Sequence, residues 1–466
     1  MSVYVCVCLC GSVANLKNNL NIGIVGGGMM GLATAFYLNK KGHQVTIFEK
    51  EKDIGGLSRS TEIMPGIHWD RFYHVILSTD TELLNFIDEI GLSLDVQFRE
   101  TKTGFYTDGQ LHSMSTTLEF LKFKPLSLSD KFRLGFGIFY TSRINNWKRL
   151  EKVSVKTWLV RVFGRRNYEK MWDPLLRSKL GAAKDRASAA FIWAIIKRYY
   201  GTRQSSSKKE MMGCVRGGYY SILNKIREQL LSNGTRIVTE CTVKKIESLN
   251  GDKIVIQSQN GTNLTFDRVI ATTPSPEILQ LLPNLSDGYG SKLEAVRYLA
   301  VVCAALVLKR SLTPFYVTNL TDPDLPFTGL IEATYVIPPE ILDGKTLIYL
   351  PKYLPMGDPF YEKSDEEILD IFIKALKRMF PDLSDEDIIA QTVHRAPHVQ
   401  PLQEIGYSEN VVPMKTPIKN FYIANTTMIL NSTLNNNEVI RLARKAANLV
   451  AQGARHKVQG KDYGEI

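Results

Sequence analysis

The clear hydrophobic patterning of the chain begins at residue 21, where a short apolar run precedes a glycine-rich turn. The run IGIV (22–25) is continuous rather than alternating, which predicts a strand buried on both faces of a parallel sheet. A helical stripe follows, formed by Leu32, Ala35, Phe36 and Leu38. A second strand-like run, QVTIFE, then ends in Glu49. This order of strand, turn, helix and strand predicts an α/β domain.

Three glycines between the first strand and the helix have the spacing of a dinucleotide-binding turn. Gly26 allows the tight turn, Gly28 allows the backbone to approach a pyrophosphate, and Gly31 allows close packing of helix on strand. The helix is predicted over LATAFYLNKKG (32–42), with its positive end pointing at the phosphates, and Met29 and Met30 of the turn are predicted cofactor contacts. Glu49 stands 18 residues after Gly31, where an acidic side chain accepts hydrogen bonds from ribose hydroxyls and repels a 2′-phosphate.

Helical and strand patterns continue through the remaining chain. The stretch 150–200 has a helical pattern, whereas 299–308 and 346–355 are apolar runs typical of strands. A helix over 363–381 is marked by a Ser364 cap, a capping box with Glu367 and a stop at Pro381. These elements predict a second, α+β part.

Composition excludes several classes of protein. With 466 residues, 44% of them hydrophobic and 23% charged, the chain is an ordinary globular sequence long enough for two domains. No apolar run reaches the length of a membrane span. The six cysteines have no framework or metal-ligand spacing, which predicts free thiols and no metal. Residues 1–20 lack an export pattern, and we expect them to be disordered or a mis-assigned start.

The positive charge is concentrated in one region. Residues 122–209 contain 22 Lys and Arg against 5 Asp and Glu, interleaved with aromatic side chains. This pattern favours a surface that meets an anionic membrane or covers an anionic substrate, with a solvated basic face as the alternative. We expect no nucleic acid partner, because no nucleic-acid-binding motif accompanies the charge.

A second glycine pair identifies the dinucleotide. The segment EKEKDIGGLSRS (49–60) resembles a flavin superfamily that includes amine oxidases, protoporphyrinogen oxidases, phytoene desaturases and UDP-galactopyranose mutases. The resemblance implies that the cofactor is FAD. Its implied contacts in this segment lie at Lys50, Gly55, Gly56, Leu57 and Ser58. Leu57 departs from the Arg that many members carry after the glycine pair.

The resemblance extends over most of the chain from residue 21. The segment 213–247 resembles the returning FAD segment, in which the residue at Val243 offers backbone groups to adenine. The segments 267–274 and 420–451 resemble the closing strand and the C-terminal flavin segment. The remaining implied FAD contacts are Thr272, Asn425, Asn437, Glu438 and Val439. The implied fold is a Rossmann-like FAD-binding domain of the glutathione-reductase type with an interleaved α+β substrate domain.

We therefore expect domains that are discontinuous in sequence. The FAD-binding domain is predicted to comprise 21–80, 212–285 and 415–455. The substrate domain is predicted to comprise 81–211 and 286–414, with a flexible tail at 456–466. The polar stretch 201–210 marks a crossing between the two domains.

Two clusters could carry chemistry. The segment IHWDRFYHVI (67–76) contains His68, Tyr73 and His74, which could polarise a substrate or relay a proton. The basic region contributes four candidate substrate contacts: Tyr168, Trp172, Arg177 and Lys179. For both clusters the alternative is an ordinary structural role.

Three functions are compatible with these observations. The first is an FAD-dependent oxidoreductase that moves a hydride from a hydrophobic or anionic small molecule (lipid-like, isoprenoid or porphyrinogen) to flavin N5. The second is a non-redox flavoenzyme similar to UDP-galactopyranose mutase, acting on a sugar nucleotide. The third is a flavin-binding protein without turnover. We expect a cytoplasmic location, with peripheral contact to the inner face of the membrane as an open alternative.

Overall fold

A computed structural model describes residues 19–202, 210–282, 285, 287–430 and 432–452. The predicted tail at 456–466 lies outside the described residues. So do nearly all of the predicted leader at 1–20 and of the polar crossing at 201–210.

Helices and strands alternate along the chain. The helices are α1 (Met29–Asn39), α2 (Thr81–Glu89), α3 (Thr117–Lys122), α4 (Leu128–Arg143), α5 (Trp147–Glu151), α6 (Val155–Phe163), α7 (Arg165–Asn167), α8 (Asp173–Leu180), α9 (Ala189–Thr202), α10 (Gly218–Ser232), α11 (Ser275–Leu281), α12 (Asp287–Glu294), α13 (Asp365–Met379), α14 (Tyr407–Asn410) and α15 (Asn436–Ala451). The strands are β1 (Asn21–Val25), β2 (Gln44–Phe48), β3 (Ser60–Met64), β4 (Ile67–Asp70), β5 (Ile76–Leu77), β6 (Val96–Glu100), β7 (Thr103–Thr107), β8 (Gln110–Ser113), β9 (Met211–Val215), β10 (Arg236–Val238), β11 (Val243–Leu249), β12 (Lys253–Ser258), β13 (Asn263–Phe266), β14 (Arg268–Ala271), β15 (Tyr298–Leu308), β16 (Val317–Leu320), β17 (Gly329–Glu332), β18 (Thr346–Pro355), β19 (Ile388–Pro401) and β20 (Phe421–Ile423).

A parallel sheet with the strand order β10-β2-β1-β14-β20 forms the centre of the first unit. Its middle strand, β1, is the continuous apolar run, and Ile22 and Ile24 are fully buried. Helices α1 and α15 pack against each other beside the sheet. The antiparallel strands β11, β12 and β13 cover the other face, where the Ile256 and Phe266 side chains reach Gly23. The predicted α/β fold with a parallel sheet is confirmed.

A mixed sheet with the order β19-β15-β18-β17-β16-β7-β8 organises the second unit. Strand β15 is buried along its whole length because it lies between β19 and β18 and is covered on both faces. One face packs on α13, whose predicted capping box between Ser364 and Glu367 is present. Strands β7 and β16 pair in parallel, which joins residues 103–107 to residues 317–320 in one sheet.

The basic region folds into a helical layer, α3 to α9, with its own apolar core. Trp158, Phe163 and Phe191 are buried at the centre of this layer. Helix α8 also packs on β18, so the helical layer rests against the mixed sheet. The helical pattern predicted over 150–200 is therefore confirmed.

Two helices pack differently from the predicted domain division. Helix α2 was assigned to the substrate domain, yet its Phe86 packs against Phe36 of α1 in the core of the parallel sheet. Helix α12 contributes Tyr289 and Leu293 to the same core. The apolar stripes of both helices pack against the first unit and are buried there. The order of elements along the sequence does not reveal this contact.

An asparagine of α15 caps the start of α2. The amides of Glu82 and Leu83 at the start of α2 donate to Asn437 Oδ1, at 2.9 and 3.1 Å. The local cap residue of α2, Asp80, instead accepts bonds from the Leu77 amide and the Arg198 side chain. Asn437 thus acts as the helix cap from a distant part of the chain.

We predict that Asn437→Ala destabilises the protein by about 1–2 kcal/mol, because two amides at the helix start lose their acceptor. The measurement is the midpoint of thermal or urea unfolding. Asn448→Ala, an exposed change on the same helix, is the matched control and should leave stability unchanged or slightly higher. Equal midpoints for both variants and the wild type would contradict the capping role.

Candidate functional site

Two glycine turns lie side by side at the carboxyl end of β1. The Gly55 amide donates to the Gly27 carbonyl at 2.8 Å, and Gly28 and Gly55 form an isolated parallel bridge. A β-carbon on Gly56 would stand 3.1 Å from the Gly28 Cα. Only residues without side chains let two backbones approach this closely, so the two predicted FAD segments form one backbone-lined cradle.

This cradle fits a pyrophosphate. A β-carbon on Gly28 would meet only the Gly56 backbone, at 3.8 Å, so the remaining side of Gly28 is open. No side chain of the described residues caps the start of α1 at Met29 and Met30. The uncapped amides and the positive end of the helix dipole are the groups that phosphate oxygens require. The side chains of both methionines are buried in the core, so only their backbone can take part.

Glu49 lies at the end of β2 with its carboxylate turned toward the turn. Oε2 accepts the Gly27 amide at 2.7 Å, and Oε1 accepts the Glu51 amide at 2.9 Å. A carboxylate offers about four acceptor positions, so two remain for ribose hydroxyls. The Cys241 amide donates to the Glu49 carbonyl at 2.9 Å, which brings Val243 close to the same end of the sheet. Lys50 instead forms an ion pair with Glu277 at 2.9 Å.

Thr272 and Asn425 support the neighbouring backbone with their side chains. The Thr272 hydroxyl donates to the carbonyls of Val25 and Gly26, each at 3.1 Å. Asn425 donates to the Thr273 carbonyl at 3.0 Å and accepts the Thr427 amide and hydroxyl. These two side chains therefore hold the turns in place, and only their backbone atoms remain for a cofactor.

The start of α15 differs from the expected arrangement. Asn435 caps the helix by accepting the Glu438 amide at 3.0 Å, and the Val439 amide donates to the Asn435 carbonyl. The Glu438 carboxylate pairs with Arg441, and the Asn437 side chain caps α2. The side chains of Asn437 and Glu438 and the amides of Glu438 and Val439 are thus used within the protein. Helix geometry leaves the amides of Asn436 and Asn437 facing outward from the first turn.

Asn436, which the sequence analysis missed, connects three segments. Its Nδ2 donates to the Ser58 hydroxyl at 3.0 Å, and its side chain lies beside the Tyr219 phenol. Burial raises the pKa of Tyr219 above its ordinary value, so this phenol stays protonated. The run of three asparagines was the available signal, but sequence alone did not distinguish the member that meets Ser58.

Asp70 and His74 lie beside this junction. Asp70 Oδ1 accepts the Tyr219 amide at 3.0 Å and the Ser60 hydroxyl at 3.2 Å. Asp70 Oδ2 stands 3.7 Å from His74 Nδ1, a buried atom without a hydrogen-bond partner among the described residues. The His74 ring packs 4.8 Å from the Tyr219 ring. The arrangement can hold or transfer a proton at His74 with a carboxylate nearby.

His68 lies elsewhere. Its ring is exposed and stacks on the Tyr220 ring at 4.9 Å, on a surface depression of about 510 Å³. Successive residues of a strand point to opposite faces, and His68 precedes the buried Trp69. The structure therefore brings together His74 and Tyr73 but separates His68 from them.

Tyr73 belongs to a tyrosine-lined cavity. Its hydroxyl stands 3.1 Å from the Tyr353 hydroxyl, and burial raises the pKa of both phenols. Burial also raises the pKa of Tyr199, although 47% of the Tyr199 surface is accessible. Tyr199 lies close enough to both other phenols to raise their pKa values further, so the three tyrosines form one cluster. We name the space bounded by Tyr73, Tyr199 and Tyr353 the tyrosine cavity.

Sequence analysis missed Tyr199 and Tyr353. Tyr353 follows Tyr349 by four residues along β18, so both point to the same face of the strand. Tyr199 lies in the last turns of α9. Neither position carries a motif, because the cavity forms only when α9 and β18 come together.

The four candidate substrate contacts lie in different environments. Tyr168 is buried and donates to Asp173 at 2.9 Å, and Trp172 packs 5.1 Å from Phe163 in the helical core. Their segment is a π-helical turn, and both side chains face the helical core rather than the tyrosine cavity. Arg177 is exposed and pairs with Asp173 at 2.6 Å. Of the four, only Lys179 reaches the tyrosine cavity, with Nζ 5.4 Å from the centre of the Tyr353 ring.

The described residues contain no group of three metal-ligating side chains. Within the same ranges, no helix has both the length and the apolar character to cross a membrane. Cys214, Cys241 and Cys303 are buried free thiols.

We predict that Gly31→Ala lowers both stability and FAD content. The added β-carbon would lie 2.0 Å from the Gly26 carbonyl oxygen, so the turn must move. Such overpacking costs about 1–3 kcal/mol, and the displaced turn would open the cradle. The measurements are the thermal midpoint and the flavin bound per chain after purification.

Gly288→Ala in α12 is the matched control, because its added β-carbon meets only open space. This variant should keep its flavin and gain up to about 1 kcal/mol. If Gly31→Ala retained full flavin and stability, the close approach of the two turns would not be required.

Comparisons with known proteins agree with this geometry. The model of the flavin containing amine oxidoreductase family matches residues 29–451. Zeta-carotene desaturase from Synechocystis sp. is 23% identical over 454 residues, covering 87% of this chain and 92% of that protein. The 15-cis-phytoene desaturase of an Oncidium hybrid cultivar is 23% identical over 438 residues, covering 88% of this chain and 74% of the relative.

A solved structure shares the fold. The putative protoporphyrinogen oxidase from Exiguobacterium sp. superposes with a TM-score of 0.74 at 16% identity, covering 93% of this chain and 98% of that one. The family match spans most of the described residues and includes Gly31, Glu49, the second glycine turn and the start of α15. The chain belongs to the flavin containing amine oxidoreductase family and is an FAD-dependent oxidoreductase.

Proposed function

We propose that this oxidoreductase is a desaturase, which removes two hydrogens from adjacent carbons of an extended, largely apolar substrate held in the tyrosine cavity. The main support is the position of Tyr73, whose ring lines this cavity. The next residue, His74, packs against Tyr219 beside Asn436. Two relatives whose names describe carotene and phytoene desaturation support the proposal.

The proposed cofactor contacts follow from the cradle. The turns at 26–31 and 55–58 would hold the pyrophosphate, and Glu49 with the backbone near Val243 would hold the adenosine half. The first-turn amides of α15, beside Asn436 and Ser58, would meet the flavin ring. When bound, FAD supplies the acceptor for two electrons and one hydrogen.

The protein's own side chains supply the remaining steps. The rings of Tyr73, Tyr199 and Tyr353 hold an apolar chain and exclude water. Desaturation releases one hydrogen as hydride and the other as a proton. His74 would take this proton at Nε2, while Nδ1 on the buried side of the ring faces the Asp70 carboxylate at 3.7 Å, which stabilises the resulting imidazolium.

The non-redox alternative is not favoured. The reported relatives are named as desaturases and an oxidase. Arg177, which was considered as a ligand for a sugar-nucleotide pyrophosphate, is already paired with Asp173 on the surface.

We predict that an acyclic polyene such as phytoene, presented in detergent, bleaches the bound flavin under anaerobic conditions without added reductant. His74→Ala should slow this reduction roughly 10²-fold, the usual contribution of a general base. His68→Ala is the matched control, because its ring is exposed and stacks on Tyr220, and the rate should be unchanged. The measurement is stopped-flow absorbance of the flavin.

Two outcomes would contradict the proposal. If no polyene bleaches the flavin, the substrate class is wrong. If flavin reduction is equally fast in both histidine variants, His74 is not the proton acceptor. Turnover of a UDP-sugar only after chemical reduction of the flavin would instead support the mutase-type reaction.

We further propose peripheral contact with the inner face of the cytoplasmic membrane through α4. Phe132 and Phe136 are 73% and 68% exposed, and Phe139 and Tyr140 extend the same side of the helix. We call these four residues the aromatic face. Arg143 continues the helix, and the surrounding region is strongly basic. Exposed aromatic side chains beside positive charge suit a surface that contains anionic lipid.

We predict that the protein floats with vesicles containing phosphatidylglycerol and less well with neutral vesicles. Salt at about 0.5 M should weaken the attachment by screening charge. The double change Phe132→Ser and Phe136→Ser should abolish flotation, because the apolar contact is lost. Leu94→Ser removes another apolar side chain, 98% exposed and far along the chain, and should leave flotation intact. Equal flotation of both variants would refute the assignment to α4.

A further inference from the structure

One charged group in the tyrosine cavity has no use in the chemistry described above. Lys179 lies in the last turn of α8, and its ammonium group stands 5.4 Å from the centre of the Tyr353 ring. The Tyr353 hydroxyl in turn bonds to the Tyr73 hydroxyl, so the ammonium group lies beside the tyrosine cavity. Lys179 therefore lies on the wall of the substrate cavity.

The neighbouring charges of α8 are paired, whereas Lys179 is not. Asp173, at the start of the helix, accepts bonds from Arg177, Lys184 and Tyr168, at 2.6, 2.5 and 2.9 Å. These three donors occupy the acidic group nearest in sequence. Burial lowers the pKa of Lys179, and no carboxylate of the described residues compensates for the lost water.

The aromatic ring is only a partial substitute for a counter-ion. A cation over a tyrosine ring is weakly attracted, whereas the removal of an ammonium group from water is strongly unfavourable. A ligand with a negative charge near Nζ would relieve this cost. A neutral hydrocarbon would leave the ammonium group buried and unpaired.

We propose that Lys179 binds an anionic head group, a carboxylate or a phosphate, at one end of the otherwise apolar substrate. This inference rests on the proposed function, because it concerns the substrate of the same cavity. It narrows the substrate class from a plain hydrocarbon to an amphiphile. The apolar chain would lie along the tyrosines, and the head group would mark the end of the cavity at α8.

Binding of three probes to the FAD-loaded protein tests the proposal. Geranylgeranyl monophosphate, geranylgeranoic acid and geranylgeraniol share one apolar chain and differ only in the head group. We expect at least one of the two anions to bind about tenfold more tightly than the alcohol, as a hydrogen bond to a charged group allows. The readouts are calorimetry and the shift of the flavin absorbance on binding, neither of which requires turnover.

Variants of Lys179 provide the controls. Lys179→Met should reduce the preference for the anion to about twofold or less, whereas Lys179→Arg should retain most of it. Because Lys179 has no internal partner, its removal strands no other group, and the Met variant should unfold at an equal or higher temperature. Arg177→Met, on the outer side of the same helix, should leave the preference unchanged.

Equal affinity of the wild type for all three probes would overturn the proposal, as would absence of binding by both anions. An anion preference that survives Lys179→Met would also overturn it. Slower flavin reduction in Lys179→Met with unchanged binding would assign the amine to proton transfer instead. These results are separate from the test of desaturation, because binding ratios do not depend on whether the polyene reduces the flavin.

Discussion

The contact on which the site depends is the approach of one glycine turn to another. The Gly28–Gly55 bridge brings the start of α1 against the segment that leads into β3, with no side chain between them. The amides of α1 stay uncapped as a result, and Ser58 lies where Asn436 can bond to it. A larger residue at Gly56 would push apart the start of α1 and the segment that carries Ser58.

Asp70 extends this arrangement toward the substrate. Its side chain accepts bonds from Ser60 and the Tyr219 amide, and its carbonyl accepts the Tyr349 hydroxyl from β18 of the mixed sheet. One buried residue thus links the flavin-wrapping segment, α10 and the substrate sheet. The distance between His74 and the tyrosine cavity is therefore set by a short chain of hydrogen bonds rather than by a flexible loop.

The parts that could be predicted from sequence are those determined by nearby residues. The glycine turn, the Glu49 position and the Ser364 capping box depend on spacings within one or two turns of chain, and all three elements form. The cap of α2 by Asn437 and the pairing of Tyr73 with Tyr353 join residues about 280 or more positions apart. Tyr168 and Trp172 show the same limit, because their positions in sequence do not reveal that both side chains pack into the core of the helical layer.

The helical layer contributes to both the tyrosine cavity and the aromatic face. Helix α9 supplies Tyr199 to the cavity and packs against α4, whose outer side is the aromatic face. The Trp193 indole of α9 donates to the Ile144 carbonyl at the end of α4, which fixes the two helices together. If the aromatic face contacts a bilayer, the helix that carries Tyr199 packs directly against the helix on the bilayer. Lys179, on α8 of the same layer, would then hold the head group on the side from which the substrate arrives.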